Sequence, residues 1–447
     1  MNLKDDSRKI KKGDTFIAID NGKNYINDAI KNGASKIIND EFTKIETEIV
    51  NDPRQYLADY LESKFKNKFK KINLIGVTGT NGKTTTAYLI YQLFNKFNIK
   101  AAYIGTIGFY LNKKISDLNN TTPDLLTLYE LFEKCINENV EVIVMEVSSH
   151  ALKLNRVLNI KFDYAIFTNL TQDHMDFHHT FTDYIDSKKR LFNSLKNRKY
   201  AIINNDDEYY KNFIFDKNEN ITYGTHADYK ILNYEIFPSK TNFKLSYKNK
   251  IYEIKLNIPC LHNIYNYLAS LIVLNKYGFK LEDIIKKSED LTIPPGRMEL
   301  ISKNDNHIFI DYAHTPDAIK NVLTNIQTFK PNKIITIIGC GGNRDKTKRP
   351  IMGEIATNYS NHVIFTNDNP RFEDEKNIIK DITYHLDKNN YEIIYNREDA
   401  IKKGISLLTK NDYLLILGKG HEKYQIIKDK KIHFDDKEIT LKYLNMK

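Results

Sequence analysis

Residues Val77-Thr-Gly-Thr-Asn-Gly-Lys-Thr-Thr-Thr86 gather the groups that a phosphate needs: two glycines, a lysine and a row of hydroxyls. The apolar run Asn73–Val77 before them reads as a buried strand, and Ala87–Phe94 after them has helical spacing. A strand, a glycine-rich turn, Lys-Thr and a helix form the context of a phosphate-binding loop. Gly79 and Gly82 let the backbone turn tightly, so that the N–H groups of Thr80, Asn81 and Thr85 can face phosphate oxygens. Lys83 is expected on the β- and γ-phosphates of ATP or a relative, Thr84 on Mg²⁺, and the helix N-terminus adds a favourable dipole. Val77 stands where the commonest form of this loop has glycine.

Other chemistry-bearing residues sit where apolar runs end. Glu146 closes such a run and precedes Val-Ser-Ser-His150. It is placed either to hold Mg²⁺ opposite the loop or simply to face solvent. His150 reads equally as a ligand or as a satisfied structural histidine. Thr168-Asn-Leu-Thr-Gln-Asp-His-Met-Asp-Phe-His178 follows the next apolar run, where unused polar groups would be costly. Lys188-Lys-Arg190 lies on an amphipathic helix and reads by residue type as a solvated face. Asp311-Tyr-Ala-His314 leads into a helix with Thr315 as N-cap and Pro316 in its first turn. Gly339-Cys-Gly-Gly-Asn-Arg-Asp-Lys-Thr-Lys-Arg349 is a further glycine-rich loop, loaded with basic residues, and Gly418-Lys-Gly-His-Glu422 offers a carboxylate for an ammonium. Asp368-Asn-Pro-Arg371 is either an ordinary Asx-Pro turn or a carboxylate site built on the bidentate guanidinium.

These turns need parallel strands beneath them, because open α/β sheets carry their ligands at the carboxyl ends of strands. The order of apolar runs and helical patterns predicts an α/β protein. Residues 1–71 read as a small N-terminal α/β unit, and 72–298 as a central P-loop domain with a mostly parallel sheet. Residues 299–447 read as a C-terminal Rossmann-like domain after the linker Pro294-Pro-Gly-Arg-Met298. Residues 225–257 alternate in the manner of an antiparallel excursion. At 447 residues the chain can bury several cores, and no apolar run is long enough for a membrane helix. The beginning Met-Asn-Leu-Lys-Asp-Asp has no signal-peptide pattern, and three widely spaced cysteines suggest neither disulfides nor a zinc site. A cytoplasmic location is expected. The net charge of +10 comes from scattered lysines, which favours an anionic small molecule over nucleic acid.

Taken in order, Thr78–Thr84, Glu146–Leu152, Thr168–His174, Gly296–Glu299, Asp311–Pro316 and Gly418–Glu422 resemble the motifs of the Mur ligase family, ATP-dependent amino-acid ligases of peptidoglycan precursor synthesis. Within that family the form of Asp368–Arg371 is similar to the members that add meso-diaminopimelate to UDP-N-acetylmuramoyl-L-alanyl-D-glutamate. The resemblance implies Arg344, Asp368, Asn369, Pro370, Arg371, Gly418 and Glu422 on diaminopimelate, and Ser7, Thr121, Thr122, Ser149 and Arg156 on the nucleotide-sugar dipeptide. It implies Asn263, Arg297, Asp311 and His314 beside ATP, and Thr84, Glu146, His174 and Lys188 around Mg²⁺. Lys188 stands where the family has a carbamylated lysine, N6-carboxylysine. The chain departs from the pattern where a longer N-terminal loop is compressed to Asp20–Tyr25, and where a family glycine is missing near Cys260–Asn263. A monomer acting on small molecules is expected. The alternatives are the same ligase using L-lysine, a folylpolyglutamate synthase-like ligase, and a non-catalytic nucleotide-binding protein with a basic interaction surface.

Overall fold

A computed structural model describes residues 2–303 and 305–445. It has three α/β layers in succession, each built on its own sheet. The first sheet has four short parallel strands, Leu3–Lys4, Thr15–Ile17, Lys36–Asn39 and Thr47–Ile49, in sequence order. The compressed segment Asp20–Tyr25 is a 3-10 helix that runs directly into helix Ile26–Lys31. Helix Pro53–Phe65 starts with Asp52, whose carboxylate accepts from the Arg54 and Gln55 N–H groups. It buries Leu57, Leu61 and Phe65. Phe65 meets Tyr129 of helix Leu125–Asn137 edge-on at 5.1 Å, which joins the first layer to the second through a shared core.

The central sheet has eleven strands. Seven of them form a parallel run in the order Tyr229–Ile236, Glu219–Gly224, Leu195–Asn204, Phe162–Phe167, Asn73–Thr78, Val142–Glu146, Ala101–Gly105. The chain leaves Asn73–Thr78 toward one edge and leaves Phe162–Phe167 toward the other. Their carboxyl ends therefore diverge at a topological switch point, where a ligand crevice forms. Both faces are covered, so the strands are apolar throughout rather than alternating. Leu74 faces the core under helices Leu125–Asn137 and Phe181–Asn193, while Ile75 and Val77 face the core under Lys83–Lys96 and Leu261–Tyr277. The excursion expected at 225–257 is there: Tyr229–Ile236, Thr241–Tyr247 and Lys250–Leu256 pair antiparallel and extend one edge. A hairpin, Gly108–Leu111 and Lys113–Ser116, extends the other.

The third sheet orders its strands Glu299–Lys303, Asn306–Asp311, Tyr413–Leu417, Ile334–Ile338, His362–Phe365, Tyr391–Ile393, and all but the first are parallel. Thr315 caps helix Pro316–Gln327 by accepting from the Ala318 N–H, as expected. Among the described residues no helix is long and apolar enough to cross a membrane.

Candidate active site

The glycine-rich turn closes strand Asn73–Thr78 and opens helix Lys83–Lys96. Gly79 has φ +147° and Gly82 φ +85°, conformations in which a side chain would be strained. A Cβ on Gly79 would also lie 1.9 Å from Thr168 Oγ1, and one on Gly82 2.4 Å from Asn266 Oδ1. The loop is tied to the neighbouring strand end. The Asn81 N–H donates to Asn169 Oδ1 (2.9 Å), and the Thr168 hydroxyl donates to the Asn81 carbonyl (2.6 Å). Thr80 Oγ1 shares a hydrogen bond with the Tyr184 hydroxyl at 3.0 Å. The Lys83 ammonium is folded back onto its own loop, donating to the carbonyls of Gly79 (2.9 Å) and Thr80 (2.7 Å). A phosphate oxygen there competes with two carbonyls for it.

Glu146 ends strand Val142–Glu146 and is wholly buried (0%), so the solvent-facing alternative does not hold. Its oxygens accept from the hydroxyls of Thr84 (2.9 Å), Tyr103 and Thr106 (3.2 Å) and from the Thr106 N–H (2.8 Å). All of these donors are neutral, and among the described residues no cation lies in ion-pair contact with Glu146. Lys188 corrects the reading of 188–190 as a solvated face: it is 1% exposed. Its amine donates to the Gly79 carbonyl at 2.7 Å and lies 4.4 Å from the Tyr184 ring centre. Burial holds the Lys188 amine well below the usual lysine range and also lowers Lys83. His174 adopts φ +58° before the short helix Met175–His178, and its ring stands edge-on to His150 at 4.6 Å. His150 stacks on Phe177 at 4.1 Å, and burial pushes it down to about 4. Among the described residues no group of three or more His, Cys, Asp or Glu side chains could hold a metal by itself.

The residues expected on the nucleotide-sugar dipeptide gather on the far side of the Glu146 strand end. Thr121 Oγ1 is 3.0 Å from Thr106 Oγ1, and the Thr122 hydroxyl donates to the Glu146 carbonyl (2.9 Å). Arg156 donates to the Thr122 carbonyl (3.3 Å) and pairs with Asp124 (2.9 Å). Ser149 lies in the turn after them, with its Oγ 2.9 Å from His178 Nε2. Ser7 is set apart. It lines a cleft of about 1060 Å³ between the first two layers, together with Arg8, Tyr25 and Asp124.

A strap crosses from the second layer to the third. Asp311 accepts from the backbone N–H groups of Met298 (2.7 Å) and Ala313 (2.8 Å), so both oxygens hold the chain. That pins the linker, and Arg297 reaches back to donate to Thr84 Oγ1 at 3.4 Å. The Arg297 guanidinium lies over the Tyr312 ring (4.6 Å), which packs on His421 (5.0 Å) and on His314 (4.6 Å). Asn263 does not meet the loop directly. It donates to the Pro259 carbonyl (2.7 Å) and accepts from Asn266 (2.9 Å), and Asn266 packs on Gly82. Cys260 has φ +75°, a backbone that glycine adopts freely, in the segment where the family's glycine is missing.

In the third layer the Gly-rich turn, the Asp-Asn-Pro-Arg turn and the 418–422 loop meet at adjoining strand ends. Asn369 donates to Glu422 Oε2 (2.8 Å), which also accepts from the buried Lys419 (3.2 Å). Asp368 Oδ2 lies against Gly418, and Pro370 covers Gly342 so closely that a Cβ there would be 1.9 Å from the Pro370 carbonyl oxygen. Arg371 has φ +52° and donates through Nη1 to the carbonyls of Gly342 (2.8 Å) and Asn369 (3.4 Å). Arg344 projects from the same Gly-rich turn and is exposed. Behind the turns the buried Arg349 bonds Glu373 (2.9 Å) and Asp381 (2.8 Å), which holds Glu373 down at about 2.

The sequence reading missed Tyr103, Thr106, His178, Asn266, Arg349 and Lys419. Tyr103, Thr106 and Asn266 are single polar residues in apolar or mixed surroundings, with nothing local to mark them. His178, Arg349 and Lys419 lay inside motifs already singled out, but no role was read for them individually.

Residues 77–274 match the family described as Mur ligase middle domain, and 296–420 match Mur ligase, glutamate ligase domain. The UDP-N-acetylmuramoyl-L-alanyl-D-glutamate–2,6-diaminopimelate ligase of Clostridium botulinum is 42% identical over 97% of this chain and 93% of its own length. A solved structure of a ligase of that name covers 99% of this chain and 94% of its own, at 30% identity and a TM-score of 0.71. A folylpolyglutamate synthase from Mycobacterium tuberculosis, solved with ADP and AMPPCP, shares the fold (TM-score 0.65 over 81% of this chain and 91% of its own) at 15% identity. The chain belongs to the Mur ligase family.

Proposed function

We infer that this chain is an ATP-dependent ligase that joins meso-2,6-diaminopimelate to UDP-N-acetylmuramoyl-L-alanyl-D-glutamate. The observation that carries the specificity is the Asp368–Arg371 turn locked against Gly418–Glu422, in one chain with a buried phosphate loop. The γ-carboxylate of D-glutamate attacks the γ-phosphorus of ATP, ADP leaves, and an acyl phosphate forms. An amine of diaminopimelate then attacks the acyl carbon. It loses a proton, and phosphate departs with the C–O bonding pair.

Lys83 and the loop N–H groups stabilise charge on the transferring phosphoryl. Arg297, fixed by the Asp311 strap, brings a second cation to the same place from the linker. Glu146 fits Mg²⁺: a wholly buried carboxylate bonded only to neutral donors is an anion in want of a cation. The residues that would hold the ion are Thr84, Glu146, His174 and Lys188 carrying a carboxyl group, and it would neutralise phosphate charge there. Burial lowers the Lys188 amine and so favours its neutral form, the form that takes up CO₂ as a carbamate with release of a proton. Arg371 uses Nη1 within the chain, and the rest of its fork suits the distal carboxylate of diaminopimelate. Glu422 faces the ammonium, and the buried Lys419 holds its carboxylate in place. Ser7, Thr121, Thr122, Ser149 and Arg156 take the nucleotide-sugar dipeptide. On this reading 1–71, 72–298 and 299–447 are the nucleotide-sugar, ATP and amino-acid units of a cytoplasmic monomer. Three buried, unpaired cysteines suit a reducing compartment.

Phosphate release with ATP, Mg²⁺ and the dipeptide tests the reading, with meso-diaminopimelate set against L-lysine. Release with lysine alone keeps a ligase and discards the role of Arg371. Release only with a folate substrate selects the folylpolyglutamate reading, and salt-sensitive nucleic-acid binding without turnover selects the non-catalytic one.

A further inference from the structure

The reaction as derived leaves one buried cluster unused. His178 has a side chain with 0% exposure, and both of its ring nitrogens are engaged. Nε2 lies 2.9 Å from Ser149 Oγ, and Nδ1 lies 3.3 Å from Asp183 Oδ2. Asp183 is in turn paired with Lys153. The ring packs against Tyr184 (5.0 Å), Phe177 (4.9 Å) and His150 (5.6 Å). Asp183, Tyr184 and Lys188 all belong to helix Phe181–Asn193, and the Tyr184 hydroxyl reaches Thr80 of the phosphate loop. Ser149 belongs instead to the short helix Ser149–Lys153 that follows the Glu146 strand. The Lys153–Asp183 pair and the Arg190 bond to the Leu152 carbonyl (3.2 Å) also join these two helices, and the imidazole is the link that reaches the Ser149 hydroxyl itself.

Resting on the reading of Ser149 as a contact to the nucleotide-sugar dipeptide, we propose that His178 is a positioning residue. It fixes the direction of the Ser149 hydroxyl and ties that contact to the helix bearing Lys188. A lone serine hydroxyl rotates about two bonds, and a hydrogen bond to a ring held at both edges removes that freedom before substrate arrives. Asp183 and Lys153 set the ring plane, and the three aromatic neighbours stop it tilting. The Ser149 contact to the substrate and the helix that meets its phosphoryl donor are then registered through this hydrogen bond.

The test compares His178→Asn with His178→Gln in the full chain. The asparagine amide nitrogen falls near Nδ1 and keeps Asp183, while that of glutamine falls near Nε2 and keeps Ser149. His178→Asn should raise the KM for UDP-N-acetylmuramoyl-L-alanyl-D-glutamate about tenfold, the worth of one hydrogen bond, and leave the ATP KM within about twofold. His178→Gln should stay near wild type. Ser149→Ala combined with His178→Asn should be no worse than Ser149→Ala alone. Equal effects of Asn and Gln, parallel changes in both KM values, or additivity in the double variant would overturn the proposal. If His178→Asn melts below the assay temperature, Asp183→Asn loosens the ring from the other side, and an unchanged dipeptide KM there would overturn it equally. Failure of the functional reading shows in the wild type, as no turnover with this dipeptide, whereas failure of the positioning role shows only in the variants.

Discussion

The two polar ends of the molecule treat charge in opposite ways. At the phosphate loop, Lys188 and Glu146 are buried and Lys83 is half-buried, and their partners are carbonyls, hydroxyls and one backbone N–H. In the third layer, Lys419 meets Glu422, Arg349 meets Glu373 and Asp381, and Arg397 meets Asp436 (2.8 Å), charge against charge. Burying a charge without a counter-charge is expensive, so the first arrangement stores a demand for ligand. The second arrangement is already satisfied and serves to hold shape. The difference divides labour: the loop end is built to react with what fills it, and the third layer is built to recognise.

The comparison breaks most easily at the loop. Lys83→Met should lower turnover by about a thousandfold or more, since a phosphoryl-clamping cation is removed, as read by phosphate release. Glu146→Gln should cost about a hundredfold in turnover and yet leave the melting temperature unchanged or higher, because an uncompensated buried charge is gone. A large fall in melting temperature would mean that Glu146 is a structural anion after all. Arg371→Ala should raise the diaminopimelate KM about a hundredfold, several kcal/mol for an unpaired carboxylate, with the ATP KM little changed. Equal changes in both would remove Arg371 from recognition. Arg349→Met, by contrast, should act mainly on stability, because it strands Glu373 and Asp381.

The smallest effect concerns pH. His150 is pushed down to about 4 in the folded chain, below its ordinary value, so the unfolded chain binds one more proton between those two values. Stability is therefore full above about pH 6.5 and declines as pH falls toward 4. His150→Phe, which keeps the stack on Phe177, should flatten that decline by about one proton, measured as melting temperature against pH.

Much of this was legible because parallel strands leave long apolar signatures with polar ends. Glu146, Asn169, Asp311, Asp368 and Gly418 could be placed at strand ends from their neighbours alone, and the antiparallel excursion at 225–257 showed in its alternation. Strand ends shifted little, as with Asn73–Val77 against the observed Asn73–Thr78. Lys188 was misread locally because a Lys-Lys-Arg run on an amphipathic helix has the pattern of a surface. Its burial comes from the phosphate loop folding over it, a contact 109 residues away in sequence. Asp311 was expected beside ATP, and its oxygens also hold the backbone of a linker, a role which no spacing announces. His178, Asn266 and Lys419 escaped notice for the same reason: a lone polar residue gains its meaning from a tertiary partner.

The central claim is tested most directly by phosphate release from the wild-type chain with ATP, Mg²⁺ and UDP-N-acetylmuramoyl-L-alanyl-D-glutamate, adding meso-diaminopimelate or L-lysine in parallel. The account predicts release with diaminopimelate and little with lysine. Equal release with both would contradict the recognition role of the third layer, and release with neither would contradict the ligase assignment itself.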